Sequence, residues 1–246
     1  MQWRGRRESD NVEDRRGMGI PRGAKIGGAG GLGLVAIVLI GMFLGIDPTV
    51  LLQSVSEIQS PTVSVERSRP AENDDQRRFV AVVLAETEDV WREAFRKIGQ
   101  TYQPPRLVLF SGAVDSACGM AGSATGPFYC PSDYKVYLDL SFFEDLQTRF
   151  GASGDFAQAY VIAHEVGHHV QTLLGISEKV RELQSRVGPT EMNQLSVRME
   201  LQADCFAGVW AHQAHKSREL LEAGDIEEGL NAASSIGDDR IQRKTQ

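Results

Sequence analysis

What the 246-residue chain lacks narrows its function before any motif is read. It has three cysteines, too few and too scattered for a cysteine-rich zinc site. It has no excess of basic side chains: a formal net charge of −7 argues against a nucleic-acid binder, which normally presents a net basic face. No internal repeat is visible, which sets aside solenoids and other arrays. With 41% hydrophobic and 24% charged residues it is neither disordered throughout nor fibrous. One further absence is local: residues 26–46, IGGAGGLGLVAIVLIGMFLGI, contain no charge at all.

That uncharged run, as a helix, would span about 31 Å, close to the hydrocarbon thickness of a bilayer. A cleavable signal peptide has an apolar region of only ~7–15 residues and ends at a small-x-small site. Here the run is longer and leads into Asp47-Pro48 without such a site. The reading is one uncleaved N-terminal transmembrane helix. Seven basic residues precede it (Arg4, Arg6, Arg7, Arg15, Arg16, Arg22, Lys25), and none occurs from Asp47 to Glu66. Positive-inside bias then predicts a cytoplasmic N-terminus and a periplasmic or otherwise extracytoplasmic body at the inner (plasma) membrane. Residues 1–25 carry a net charge of +3, which leaves −10 for residues 47–246. Gly27/Gly31 and Gly41/Gly45 have small-xxx-small spacing, which can pair two anchors as a homodimer, although any glycine-rich span contains such pairs.

The expected organisation is a basic cytoplasmic head (1–25), a transmembrane anchor (26–46), a Pro- and Ser-containing linker (47–75) and one folded domain (76–246). Cys118 and Cys130 bracket a Gly- and Pro-rich segment, CGMAGSATGPFYC, short of its own core. A disulfide there suits an oxidising compartment and would contribute about 3 kcal/mol in the chain-entropy picture. Cys205 sits in a helical pattern and is expected to be a small buried thiol. Helices are predicted from Phe79 to Ile98, from Phe142 to Phe150, from Asp155 to Leu174 and from Thr190, as N-cap, to Ala214. Strands are predicted at Leu107–Phe110, Phe128–Cys130 and Lys135–Leu140.

Two of these helices carry the chemistry. His164-Glu165-Val166-Gly167-His168 is an HExxH motif whose i, i+4 spacing sets both imidazoles on one helical face, where they can converge on one ion. Two surface histidines on an amphipathic helix are the bland alternative. The apolar flank Tyr160-Val161-Ile162-Ala163 argues that the motif is buried, and a buried His-Glu-His group without a metal is costly. Gly167 would permit close approach of another backbone. The second helix offers Glu200 and Asp204, again at i, i+4. Their mutual repulsion is relieved if Glu200 is the third ligand and Asp204 accepts a hydrogen bond from the far nitrogen of a ligating histidine. Two histidines, one glutamate and an open water position describe a catalytic zinc site for one Zn²⁺. His169 points about 100° round the helix and is read as a second-shell or substrate-facing group. His212 and His215 are read as surface residues.

AYVIAHEVGHHVQ and LSVRMELQADCFAGVWAHQ, with the head MQWRGRRESDNVEDRRG and ACGMAGSATGPFYCPSDYKVYLDLSFF, resemble the bacterial neutral zinc metallopeptidase family of the YpfJ type. The resemblance covers nearly the whole chain. It implies an α+β, zincin-like domain with the HExxH helix packed against a small antiparallel sheet. It also implies His164, His168 and Glu200 as ligands and Glu165 as general base. Members of that family continue past Ile236–Arg240 with a helical region carrying a His-Gly-Ser stretch, whereas this chain ends at Gln246. The expected function is a membrane-anchored, zinc-dependent endopeptidase acting on envelope proteins or peptides through a zinc-activated water and Glu165. The alternative of another class is a non-catalytic, membrane-tethered zinc-binding interaction module.

Overall fold

The computed structural model describes residues 1–17 and 74–236; the predicted anchor at 26–46 and most of the linker lie outside them. Among the described residues, no helix is long and apolar enough to cross a membrane. The elements in chain order are β1 (Val12–Asp14), α1 (Asp75–Lys97), β2 (Arg106–Phe110), β3 (Ala113–Ser116), β4 (Gly119–Gly122), β5 (Phe128–Cys130), β6 (Lys135–Asp139), α2 (Ser141–Thr148), α3 (Asp155–Leu173), α4 (Ile176–Gln184), α5 (Pro189–Arg218) and α6 (Asp225–Ile236).

The fold is α+β, but the main sheet is mixed rather than antiparallel. Its order is β1-β2-β6-β5. β1 runs parallel to β2 and β2 parallel to β6; only β5 is antiparallel to its neighbour, with Tyr129 opposite Val136. The antiparallel sheet was what the resemblance implied, and the sequence itself could not correct it, because side-chain alternation marks a strand without giving its direction. The alternation itself is plain. Leu107, Leu109, Val136 and Leu138 point into the main core, while Val108, Phe110 and Tyr137 join Val114 and Cys130 in a smaller cluster on the other face. The β3–β4 hairpin, a two-stranded antiparallel sheet of its own, lies in the β2-to-β6 connection. Cys118 and Cys130 are disulfide-bonded there, while Cys205 is free and exposed, not buried as expected.

The first 17 residues require the largest correction. They belong to the same compact unit as residues 74–236 and are not a separate head. β1 supplies a strand of the main sheet, with Val12 beside Leu107. Four of the basic side chains that suggested a cytoplasmic flank, Arg4, Arg6, Arg7 and Arg16, are partners of acidic groups on the body. Arg6 and Arg218 hold the buried Glu86 carboxylate at 3.2 and 2.7 Å. Glu88, 1% exposed, accepts from Arg7 and Arg92 at 3.2 Å each, from Asn11 at 2.7 Å and from Ser9. The Met1 ammonium lies 2.6 Å from Asp155, 3.2 Å from Glu222 and 3.3 Å from Asp225. Buried carboxylates left without such partners would be strongly destabilising, so these residues are part of the fold.

The helices then position the site. α1 opens on Asp74, whose side chain accepts from the Arg77 amide, and its Phe79–Ala85 stretch is buried on every side. It packs against α3 and α5, which also pack on each other. α3 ends before Gly175, whose left-handed conformation (φ 72°) turns the chain into α4. α5 begins with Pro189 after Gly188 as its cap, two residues before the Thr190 cap expected from sequence.

Candidate metal centre

Gly167 sets the distance between the two helices that matter. A methyl group built on it would stand 2.9 Å from the Ala203 carbonyl oxygen and 3.1 Å from the Ala203 Cα. With Ala203 and Ala207 buried opposite, α3 and α5 approach closely along this seam. Ala203 lies between Glu200 and Asp204, so the contact carries both carboxylates to the HExxH face.

Three donor atoms converge there. His164 Nε2 and His168 Nε2 are 3.1 Å apart, and Glu200 Oε2 lies 3.2 Å from the first and 3.3 Å from the second. Ligands held about 2.0–2.1 Å from a tetrahedral zinc stand about 3.3–3.4 Å from each other. The triangle therefore fits one ion, with nitrogen and carboxylate donors of the kind zinc accepts. Asp204 Oδ1 lies 2.8 Å from His164 Nδ1, as expected of a group that orients a ligating imidazole, and also accepts from the Tyr160 hydroxyl.

The electrostatics favour a cation. Burial works to raise the Glu200 carboxyl, but hydrogen bonds from His164 and His168 outweigh it and hold its pKa at about 2. Burial alone would depress His164, yet Asp204 and Glu200 push it up to about 10. His168 is raised against burial chiefly by Glu200. A pocket that draws protons onto both imidazoles when no metal is bound is one that favours a divalent cation in their place.

Glu165 is buried, and it lines a cleft of about 460 Å³ together with His164, His168 and Glu200. Phe128 and Tyr129 of β5, Val180 and Arg181 of α4 and Met199 of α5 complete much of that wall. β5 is one of the two edge strands of the described sheet, so the cleft runs beside a strand paired with β6 alone among the described strands.

His169 does not face this cleft. It is 1% exposed, its Nε2 donates to the Gln103 carbonyl at 2.7 Å, and its Nδ1 lies 3.1 Å from the Tyr129 hydroxyl. Burial lowers its pKa to about 4, so the ring is neutral, and Tyr102, Tyr129 and Tyr134 meet it edge-on. It supports Tyr129, a residue of the cleft wall, and its hydrogen bonds go to Tyr129 and Gln103 rather than to His164, His168 or Glu200. His212 and His215 are exposed, as expected. The acidic group Asp155, Asp225 and Glu228 also has metal-like spacing, but the Met1 ammonium already pairs with two of its members.

Two residues of the site went unnoticed in the sequence. Tyr160, four residues before His164, looked like core but is tied to Asp204. Gln171, three residues after His168, is fully buried with its Oε1 2.9 Å from His168 Nδ1. Their signal was position: both share a helical face with a ligand.

A family model described as “Putative neutral zinc metallopeptidase” matches residues 1–246. “Uncharacterized protein YpfJ” of Escherichia coli K12 is 53% identical over 254 residues, which cover 100% of this chain and 86% of that protein. “Uncharacterized protein Rv2575” of Mycobacterium tuberculosis H37Rv is 39% identical over 216 residues, covering 83% of this chain and 72% of that protein. No solved structure matches the chain.

Proposed function

The chain belongs to the neutral zinc metallopeptidase family, and from that premise we propose that it is a zinc-dependent endopeptidase. The observation that carries this reading is the open triangle of His164, His168 and Glu200, with Glu165 in the wall of the same cleft. Three protein ligands are the number a catalytic zinc site uses, and structural sites are closed by four. When bound there, zinc supplies a Lewis acid for the scissile carbonyl and lowers the pKa of water toward about 7. Glu165 takes the proton of the attacking water and passes it to the leaving amine. Asp204 and Gln171 hold the imidazoles, and the edge of β5 offers backbone partners to an extended peptide. The purified full chain supplied with zinc is expected to cut an unstructured protein, to lose that activity to a chelator such as 1,10-phenanthroline and to regain it with zinc. No cleavage at any zinc concentration would contradict the reading.

For location, we propose attachment to the inner membrane through residues 26–46, with envelope proteins or peptides as substrates. Residues 1–17 and 74–236 share one unit, so a single crossing of the membrane between them by residues 26–46, which would put them on opposite sides, is not compatible with the fold; the attachment proposed is to one face of the membrane. Both flanks then stand in one compartment, and the Cys118–Cys130 disulfide favours the oxidising, extracytoplasmic side. Single cysteines replacing Asp10 and Lys97, both exposed, in a Cys205→Ser background report this directly. A membrane-impermeant maleimide added to spheroplasts is expected to label both. Labelling of one without the other would overturn the shared compartment.

A further inference from the structure

We propose that Gln171 is a positioning residue that fixes the tautomer of His168 and ties that ligand to the backbone of the helix bearing Glu200. The inference rests on the zinc-site reading above and adds to it a residue that the motif does not contain.

The argument starts from what an amide can do. One end of a glutamine amide only accepts hydrogen bonds and the other only donates. Gln171 has three partners: the Met199 carbonyl 2.7 Å from Nε2, the Gln202 Oε1 3.1 Å from Nε2, and His168 Nδ1 2.9 Å from Oε1. The Met199 carbonyl can only accept, so the NH₂ end must face it. The oxygen then faces His168, and Nδ1 must carry the hydrogen it donates. In the neutral ring that a metal ion binds, this leaves Nε2 as the bare lone pair, turned toward His164 Nε2 and Glu200 Oε2. Reversing the amide would set oxygen against a carbonyl in a fully buried position, where an unsatisfied group is costly.

The link to α5 matters as much as the tautomer. Met199 immediately precedes Glu200, so the bond from Gln171 holds the α5 backbone one residue from the third ligand. A single side chain therefore orients the second ligand and sets the height of the third. The two imidazoles are backed differently: His164 by the Asp204 carboxylate, His168 by a neutral amide.

The test compares Gln171→Met, which keeps the length and removes all three hydrogen bonds, with the full-length wild type. Zinc affinity is read by competition with a chromophoric chelator, and ligand geometry by the visible spectrum of the Co²⁺-loaded protein. Gln171→Met is expected to bind zinc about 10–100-fold more weakly and to change the Co²⁺ spectrum. Wild-type affinity and spectrum together with a lower melting temperature of the zinc-free protein would mean that Gln171 only packs, and would overturn the proposal. A second measurement needs no variant. Nitrogen-15 NMR of histidine in the zinc-loaded wild type is expected to show His168 with hydrogen on Nδ1 and metal on Nε2; the reverse would overturn it. A wild type that binds no zinc refutes the zinc reading itself, whereas a wild type that binds it no better than Gln171→Met refutes this inference alone.

Discussion

Glu165→Gln is expected to lower kcat/KM by on the order of 10²–10⁴-fold while zinc affinity stays within a few-fold of wild type. Glutamine has nearly the size and shape of glutamate but no basic oxygen to take a proton from water. Glu165 is outside the ligand triangle, which His164, His168 and Glu200 form by themselves. Removing its charge therefore disturbs proton transfer far more than metal binding. Measured together, turnover and zinc affinity separate the roles. Loss of both would make Glu165 a ligand. Loss of neither would assign the base to another group and remove the mechanism.

Gly167→Ala is expected to destabilise the protein by about 1–3 kcal/mol and to weaken zinc binding in the same variant. The sign is the informative part. Alanine favours a helix over glycine by about 0.8–1.0 kcal/mol, so with room to spare this change would stabilise α3. The added methyl meets the Ala203 carbonyl oxygen at 2.9 Å and the Ala203 Cα at 3.1 Å, and these backbone atoms cannot swing aside as a flexible side-chain end can. α5 must move, and Glu200 and Asp204 move with it. Urea unfolding of the zinc-free protein beside zinc titration checks both effects. A stabilised variant with normal zinc affinity would show that the seam between the helices has slack.

The site was more legible in the sequence than the fold. HExxH and the Glu200/Asp204 pair are patterns of residue type at helical spacing, and helical spacing is what local sequence encodes. Gly167 and Ala203 could likewise be read as a close seam because small side chains leave few other reasons for their place. Strand direction has no such local mark, which is why the parallel pairing of β1, β2 and β6 was missed. β1 itself is three residues, Val12–Asp14, with no run of alternation to announce it. Arg6 and Arg7 gave a clear signal that was misread. A basic cluster before an apolar run looks the same whether its partners are absent or, as here, are Glu86 and Glu88 more than seventy residues away. Short α4 and α6 also escaped notice, since each depends on packing against α3 for its place. His169 was misplaced for a related reason: its direction on α3 was correct, but only the fold shows that this direction meets Tyr102, Tyr129 and Tyr134 instead of a cleft.

X-ray absorption at the zinc edge of the full chain loaded with one equivalent of zinc tests the central claim most directly. One tightly held ion with only nitrogen and oxygen neighbours at about 2.0–2.1 Å, two of them imidazoles, is the predicted result. A sulfur neighbour at about 2.3 Å, or the same spectrum from a His164→Ala, His168→Ala double variant, would place the zinc elsewhere and contradict the account.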